Sequence, residues 1–500
     1  MSTPPAAGPS AGLSAARPLH SEWLNHRDRL LKPALNDTEF GAIRELLDYY
    51  HPHGPLRTFT TYFRSGLGKP MYVAHGQYFD LDHVLGRLLD LPGIGTGFGG
   101  QVYGGGKGHD LFGTVASSVG EAVERVLGSL AYLTHLDRIL YGSYRELAGR
   151  GVPCLHPEEF PVFAPEQLAG DPLYEAWTED SELGWIAGRR LRSGQEVYVP
   201  AQLVMLFYLH GPDEPMIGLA PSGGLASHIS RRDALWHGVL ELFERDAVNL
   251  RWYGGVPLDR VVVDRPVRDR ALRRLLETAG QQPGEITFHL HNLDLHEYPV
   301  ITAVERDGWL RRYGYFAGGG VSDDTEEAML SALTEYAQAE RSLRISLATP
   351  DWEFTEAFGR QFAIGKDAEA ADFSNYIQVI PYYGYEENRG RVSWFYDGGE
   401  EVPLSELPRR RSGEGADRRW ERLMALLAER GWDPVTFDFS LPQFRHTSLM
   451  KVVLPELSPP YPPQAPGLGN PRYGRVPYES GRRDRPLGFG DLNTRPLPYP

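Results

Sequence analysis

Hydrophobic positions along the chain change period several times, and each change predicts a different element. A helical period runs from about Ser21 to Tyr50, where "EFGAIRELLDYY" spaces its apolar residues three and four apart. The strand-like "RTFTTYF" follows, then the glycine-dense "LPGIGTGFGGQVYGGGKGHD", which ends at Asp110. From Ser117 the period is helical again, with Val119, Ala122, Val123, Val126, Leu127 and Leu130 on one stripe. Short alternating runs between 150 and 220, among them "ELGWIAGRRL" and "EVYVPAQLVMLFY", predict strands joined by turns. A second helix is predicted from about Arg232 to Trp252. Beyond it lie the strand patterns "EITFHLHNL", "YPVITAVERD" and "RYGYFAGGG", then a helix from about Thr325 to Leu343. The helical "DRRWERLMALLAERG" and the strands "PVTFDFS" and "LMKVVLPEL" complete the pattern. From Ser458 on, proline and glycine are too frequent for a helix or a central strand, so a linker-like end is expected.

Three of the helices carry acidic groups where an apolar residue would be expected. "SSVGEAVERVLGSL" holds Glu121, Glu124 and Arg125, and "HGVLELFERDAV" repeats the pattern as Glu241, Glu244 and Arg245. "EEAMLSALTEYAQAERSL" sets Glu335 and Gln338 three apart. Taken alone, one Glu-x-x-Glu-Arg is a solvated face with an internal ion pair. Two copies and a third oxygen pair, two of the three in helices apolar nearly all round, do not fit that reading, because a buried carboxylate needs a partner. Residues three apart share a helix face, and carboxylate and amide oxygens are hard ligands suited to Mg²⁺. The residues therefore point to a Mg²⁺–phosphate site built from helices. Asp246 and His237 on the second helix are weaker candidates, because both could merely satisfy neighbouring backbone. "GQVYGGGKG" is not a P-loop: Gln101 replaces the first glycine, and Gly108 replaces the Ser/Thr after Lys107. A flexible turn is the plainer reading of the glycines, and Lys107 can serve as a point charge for phosphate.

Composition narrows the class. The 500 residues are 41% hydrophobic, enough for an ample core, and carry a formal charge of −15, which opposes general nucleic-acid binding. The basic stretch "PRRRSGEGADRR" near 408 reads as a solvated loop. The single cysteine, Cys154, excludes an internal disulfide framework and reads as a small buried apolar side chain. No run of about 18 apolar residues occurs, so no transmembrane helix is expected. "MSTPPAAGPSAGLSAARP" reads as a disordered leader, and a soluble cytoplasmic protein is the expectation.

These motifs together resemble the YcaO-domain family. Ser117, Glu121, Glu124 and Arg125 match its Ser-x-x-x-Glu-x-x-Glu-Arg, ten residues after a Gly106-Lys107-Gly108 like the lysine turn that opens the domain. "GGLASHISRRDALWHGVLELFERDA" resembles the second signature, and "AMLSALTEYAQAER" the third; Gly223 and Ser331 depart from its usual polar residues. The resemblance implies an α/β (α+β) fold of the YcaO ATP-binding type, with mixed sheets, packed helices and a proline-rich C-terminal tail. It implies a leader over 1–20, an extension over 21–100, a catalytic core over 101–457 and a tail over 458–500. Glu121, Glu124, Glu241, Glu244 and Glu335 would hold Mg²⁺, and Lys107, Ser117, Arg125, Arg245, Gln338 and Arg341 would contact ATP.

Azoline-forming members of that family end in Pro-x-Pro-x-Pro, and this chain ends Pro496-Leu497-Pro498-Tyr499-Pro500. The resemblance thus implies an ordered terminus at the active site, with Pro496, Pro498 and Pro500 in the catalytic segment and the terminal carboxylate assisting proton transfer. A polyproline end is stiff and loses little entropy on docking. The implied reaction is ATP-dependent cyclodehydration of Cys, Ser or Thr in a ribosomally made precursor peptide. The stretch before Lys107 is short for a fused leader-binding region, so an E1-like or ThiF-like partner is expected. An FMN-dependent azoline dehydrogenase and a homodimer are further expectations, with neither nucleic acid nor membrane as partner. The rival readings are a thioamide- or amidine-forming relative and a non-catalytic nucleotide-binding scaffold.

Overall fold

The computed structural model describes residues 37–51, 56–62, 72–78, 86–87, 90, 103–108, 111–279, 285–306, 316–348, 363–373, 378–411, 413–458 and 465–498. The predicted leader and the first part of the Ser21–Tyr50 helix lie outside them; the part described is helix α1, Asp37–Leu47.

Three sheets organise the chain. The first has the order β1 (Leu56–Tyr62), β2 (Tyr72–Tyr78), β3 (Tyr103–Gly108), all antiparallel. The second, six-stranded and antiparallel, joins β4 (Leu140–Gly142), β5 (Leu183–Arg190), β13 (Val435–Asp438), β14 (Ser448–Val453) and β7 (Leu225–His228), with β6 (Glu196–Pro200) on β5. The third runs β11 (Phe316–Val321), β10 (Val300–Arg306), β9 (Glu285–Leu290), β8 (Asp259–Val262), β12 (Glu401–Pro403), and only the β8–β12 pairing is parallel. The alternation expected of a strand buried on both faces is visible in β14. Leu449 and Val453 pack with α2 (Leu111–Thr134), whereas Met450 and Val452 pack with α3 (Arg231–Tyr253).

Helix α3 joins the two larger sheets. Ser230 caps it by accepting from the Asp233 amide at 3.1 Å. Its first half packs on β14 and β7, and its last turns, Ala247 to Tyr253, enter the core over the third sheet with Val300, Val304 and Ala317. The other face of that sheet is covered by α4 (Thr325–Ala348), whose Ala328, Met329, Ala332, Leu333 and Tyr336 are fully enclosed.

The glycine-dense stretch is not a turn. Residues 103–108 form a strand, and its glycines let a helix lie directly on it. A Cβ on Gly106 would sit 1.9 Å from the Thr114 carbonyl oxygen of α2, and one on Gly318 of β11 would sit 2.0 Å from the Tyr336 amide of α4. Two strand-on-helix pairs are thus packed backbone to backbone.

The C-terminal segment corrects the expectation more sharply. Residues 472–479 form a helix, α6 (Arg472–Glu479), despite Pro477. The Arg472 guanidinium is buried and bonds Asp246 at 2.7 Å and Asp294 at 2.9 Å, and Tyr473 packs edge-on against Tyr253 at 5.6 Å. These tertiary contacts offset the hydrogen bond that proline removes. The basic stretch near 408 is also not simply solvated. Arg410, together with Arg419 and Arg422 of helix α5 (Ala416–Glu429), converges on buried Asp323. Cys154 is half-buried rather than buried, and burial pushes its thiol up to about 11. Among the described residues no helix is long and apolar enough to cross a membrane.

Candidate functional site

Three of the predicted glutamates, on two of the acidic helices, are held by a backbone amide from a neighbouring glycine or strand edge. The Gly105 amide of β3 donates to Glu121 Oε2 at 3.3 Å, and the Gly224 amide donates to Glu241 Oε2 at 3.0 Å. Gly224 lies at φ +81°, where a Cβ would also meet the Val452 carbonyl at 2.3 Å, so only glycine suits that turn. The Ser227 amide, on the free edge of β7, donates to Glu124 Oε2 at 3.1 Å. The first glutamate of each Glu-x-x-Glu-Arg faces its own arginine: Arg125 stands 3.9 Å from Glu121, and Arg245 stands 3.8 Å from Glu241. The repeated motif thus has a repeated three-dimensional setting.

Lys107 ties the third helix in, through an ion pair from its Nζ to Glu335 of α4. The Lys107, Glu121, Glu241 and Glu335 side chains, with the two arginines, are between 21% and 33% exposed, so water reaches them. Their surroundings are nonetheless desolvating. Burial raises the carboxyl of Glu124 to about 8, with Glu241 and Glu121 adding repulsion against the pull of Arg125. Burial likewise raises Glu244 to about 7, with Glu335 and Glu241 opposing Arg245 and Lys107. Glu121 is pushed up by burial against Arg125 and Lys107. Burial works against the Lys107 charge, but Glu335, Glu121 and Glu244 outweigh it and hold the ammonium above its ordinary value. Partial exposure together with strong desolvation describes an enclosed cleft, not the packed interior expected from the apolar helices.

The five predicted carboxylates therefore face one cleft between α2, α3 and α4. Ser117 is exposed on α2, in line with Glu121 and Glu124 on the helix, and Gln338 is half-buried on α4. Arg341 belongs to α4, but its side chain lies outside the described residues. Pro496 and Pro498 are buried, and Pro500 lies outside the described residues. The tail docks on the end of α3: the Trp252 indole donates to the Arg495 carbonyl at 2.8 Å, the Asn493 amide donates to the Tyr253 carbonyl at 2.8 Å, and Tyr383 donates to the Pro496 carbonyl.

One group escaped the sequence reading. Lys451 of β14 is 2% exposed and donates to the Pro221 and Gly223 carbonyls at 2.6 and 2.7 Å. Burial lowers its ammonium to about 8, held there against Glu241 and Glu124. The signal was a lysine inside the apolar run "LMKVVL". His237, read from the sequence as a group that could satisfy backbone, does not do so. Its ring stacks on His228 at 4.8 Å with an interplanar angle of 20° instead of bonding backbone. Asp246 does satisfy backbone: it accepts from the Ser458 amide and hydroxyl, and it pairs with Arg472.

The donor set suits Mg²⁺. It is entirely oxygen, burial with added repulsion between its members raises two carboxyls to neutral pH or above, and cationic side chains flank it. Among the described residues no three carboxylate, imidazole or thiol groups stand close enough to wrap one ion. That fits a magnesium shared with phosphate, which needs one or two carboxylates, rather than an all-protein cage.

A family model described as YcaO cyclodehydratase, ATP- and Mg²⁺-binding, matches residues 105–458. An uncharacterized protein of Methanothermobacter thermautotrophicus is 35% identical over 247 residues, 41% of this chain and 63% of its own length. A heterocyclase solved with substrate and cofactor superposes with a TM-score of 0.70 at 17% identity, over 92% of this chain and 57% of that one. A YcaO from Methanopyrus kandleri, bound with AMPPCP and Mg²⁺, gives 0.53 at 18% identity, over 88% and 91% of the two chains. At these identities the solved structures share the fold. The chain spans about three fifths of the archaeal relative and of the heterocyclase.

Proposed function

The chain belongs to the YcaO family, whose cofactors are ATP and Mg²⁺, and from that premise we propose that it is a cyclodehydratase forming thiazoline or oxazoline rings in a ribosomally made peptide. The observation that carries the proposal is the cleft in which carboxylates of three helices meet beside Lys107, with a proline-rich tail docked on the end of one of them, α3.

In the reaction, a Cys, Ser or Thr side chain of the peptide attacks the preceding amide carbonyl. That attack closes the ring; the former amide oxygen then departs as phosphate, and the amide nitrogen gives up its proton to form the C=N bond. Mg-ATP supplies the phosphoryl group that turns this poor leaving oxygen into a good one. Glu121, Glu124, Glu241, Glu244 and Glu335 are assigned to Mg²⁺; Glu121, Glu124 and Glu241 are fixed in direction by an amide and Glu335 by the Lys107 cation. Lys107, Ser117, Arg125, Arg245, Gln338 and Arg341 are assigned to the nucleotide, where fixed cations stabilise phosphoryl charge without reorganisation. Pro496, Pro498 and Pro500 are assigned to holding the terminal carboxylate where it can accept a proton from the attacking side chain.

The proposal extends to a separate E1-like or ThiF-like protein that presents the precursor. It extends also to an FMN-dependent dehydrogenase acting on the product. Mass spectrometry of a precursor peptide incubated with this protein, that partner and Mg-ATP tests the reading. One water mass should be lost per ring. An exchange of oxygen for sulfur, or an added amine with loss of water between two groups, would assign the chain to the thioamide or amidine chemistry instead. An unmodified peptide with no ATP consumed would favour a scaffold.

A further inference from the structure

We infer that the stacked imidazoles of His228 and His237 form the platform for the nucleobase of ATP, so that the nucleotide lies along α3 with its base at the N-terminal end and its reacting phosphate toward the docked tail. The inference rests on the reading of the cleft as the nucleotide site and adds its direction.

Three observations support it. His237 precedes Glu241 by one turn on the same face of α3, and His228 follows Ser227, whose amide holds Glu124. The imidazole pair thus adjoins the acidic cluster through both elements. At the opposite end of the helix Trp252 anchors the tail, about 22 Å from His237 along the axis. The acidic cluster lies between these ends, so the two flanks of a bound triphosphate meet different chemistry.

The platform has the character that a base requires. His237 is exposed while its ring stacks on half-buried His228, which leaves its outer face open. Desolvation, with His228 and Arg419 reinforcing it, lowers the His237 ring below its ordinary value although part of it meets solvent, and desolvation lowers His228 as well, so the pair is neutral near pH 7. A neutral flat surface suits a neutral flat heterocycle and offers nothing to a phosphate. A purely structural role explains the pair poorly. The His228 Nδ1 is buried without a hydrogen-bond partner, 3.7 Å from Asp233, so no bond from that atom holds the ring in place.

The test uses the full chain and needs no peptide. His237→Ala should weaken ATP binding about tenfold, the worth of one base stacked on one ring. Mg-tripolyphosphate, which has no base, should bind His237→Ala as it binds the parent. His237→Phe, which keeps a flat ring, should restore most of the ATP affinity, and the preference for ATP over GTP should narrow in the alanine variant. Equal losses for ATP and tripolyphosphate, or an unchanged ATP affinity in His237→Ala, would overturn the inference. Nucleotide binding is measured apart from ring formation, so an unmodified precursor would sink the azoline reading and leave this result standing.

Discussion

Glu241 shows how much is asked of a single side chain in this cleft. Its Oε2 accepts from the Gly224 amide, its Oε1 faces Arg245, and it lies near Lys451 and Glu124. Glu241→Gln keeps the shape and removes the charge. It is expected to abolish Mg-ATP turnover while the melting curve stays within a few degrees, and normal turnover would remove Glu241 from the metal site. The raised carboxyls give a second expectation. Glu124 at about 8 and Glu244 at about 7 bind more protons in the folded chain than in the unfolded one, where the value is about 4.3. Stability contributed by their protonated forms is complete below the unfolded value and lost as pH rises through the folded values. With a chelator present, Tm should therefore fall between about pH 5 and pH 8 and then level off. Mg-ATP should flatten the slope, because bound cation neutralises the same carboxylates. Glu124→Gln should remove part of the slope in chelator, and an identical slope in that variant would assign it to other groups.

At the scale of elements, the acidic helices were legible because two periodicities coincide in them, the apolar stripe of a packed helix and the i, i+3 spacing of paired carboxylates. The strands beneath them were harder to read. "YGGGKG" has almost none of the side chains that mark a strand, and its reason for being one is the α2 backbone lying on it, a contact between segments that local propensity does not encode. Lys451 was invisible for the same reason, since its partners are carbonyls of a turn far away in sequence. The α6 helix went unread because proline and glycine content describes local cost, whereas the Arg472 pairs that repay it are tertiary. The docked tail belongs to this scale as well. Deleting Pro498 to Pro500 should impair ring formation at least tenfold more than it weakens ATP binding, measured as product formed against nucleotide affinity. Equal effects on both would make the tail a structural strap only.

Across the whole molecule, α3 is the member that joins the second and third sheets, and the C-terminal segment is clamped to its far side. Asp246 on α3 binds Ser458 and Arg472, and Arg472 reaches on to Asp294 after the third sheet's β9. Arg472→Met would leave two acidic groups short of a cation, one of them wholly enclosed. The expected loss is about 3–5 kcal/mol by urea unfolding, with faster proteolysis of the 465–498 segment. A loss below about 1 kcal/mol would mean that the segment is held by its aromatic contacts instead.

The glycine strands also limit how this cleft can vary. With a helix backbone where a first side-chain carbon would go, Gly106 of β3 and Gly318 and Gly320 of β11 cannot take the bulk that would reshape the proposed nucleotide bed. An engineer who wants a different phosphate donor has little to adjust on that wall. On the proposed reading, variation in what is accepted would come instead from the docked tail.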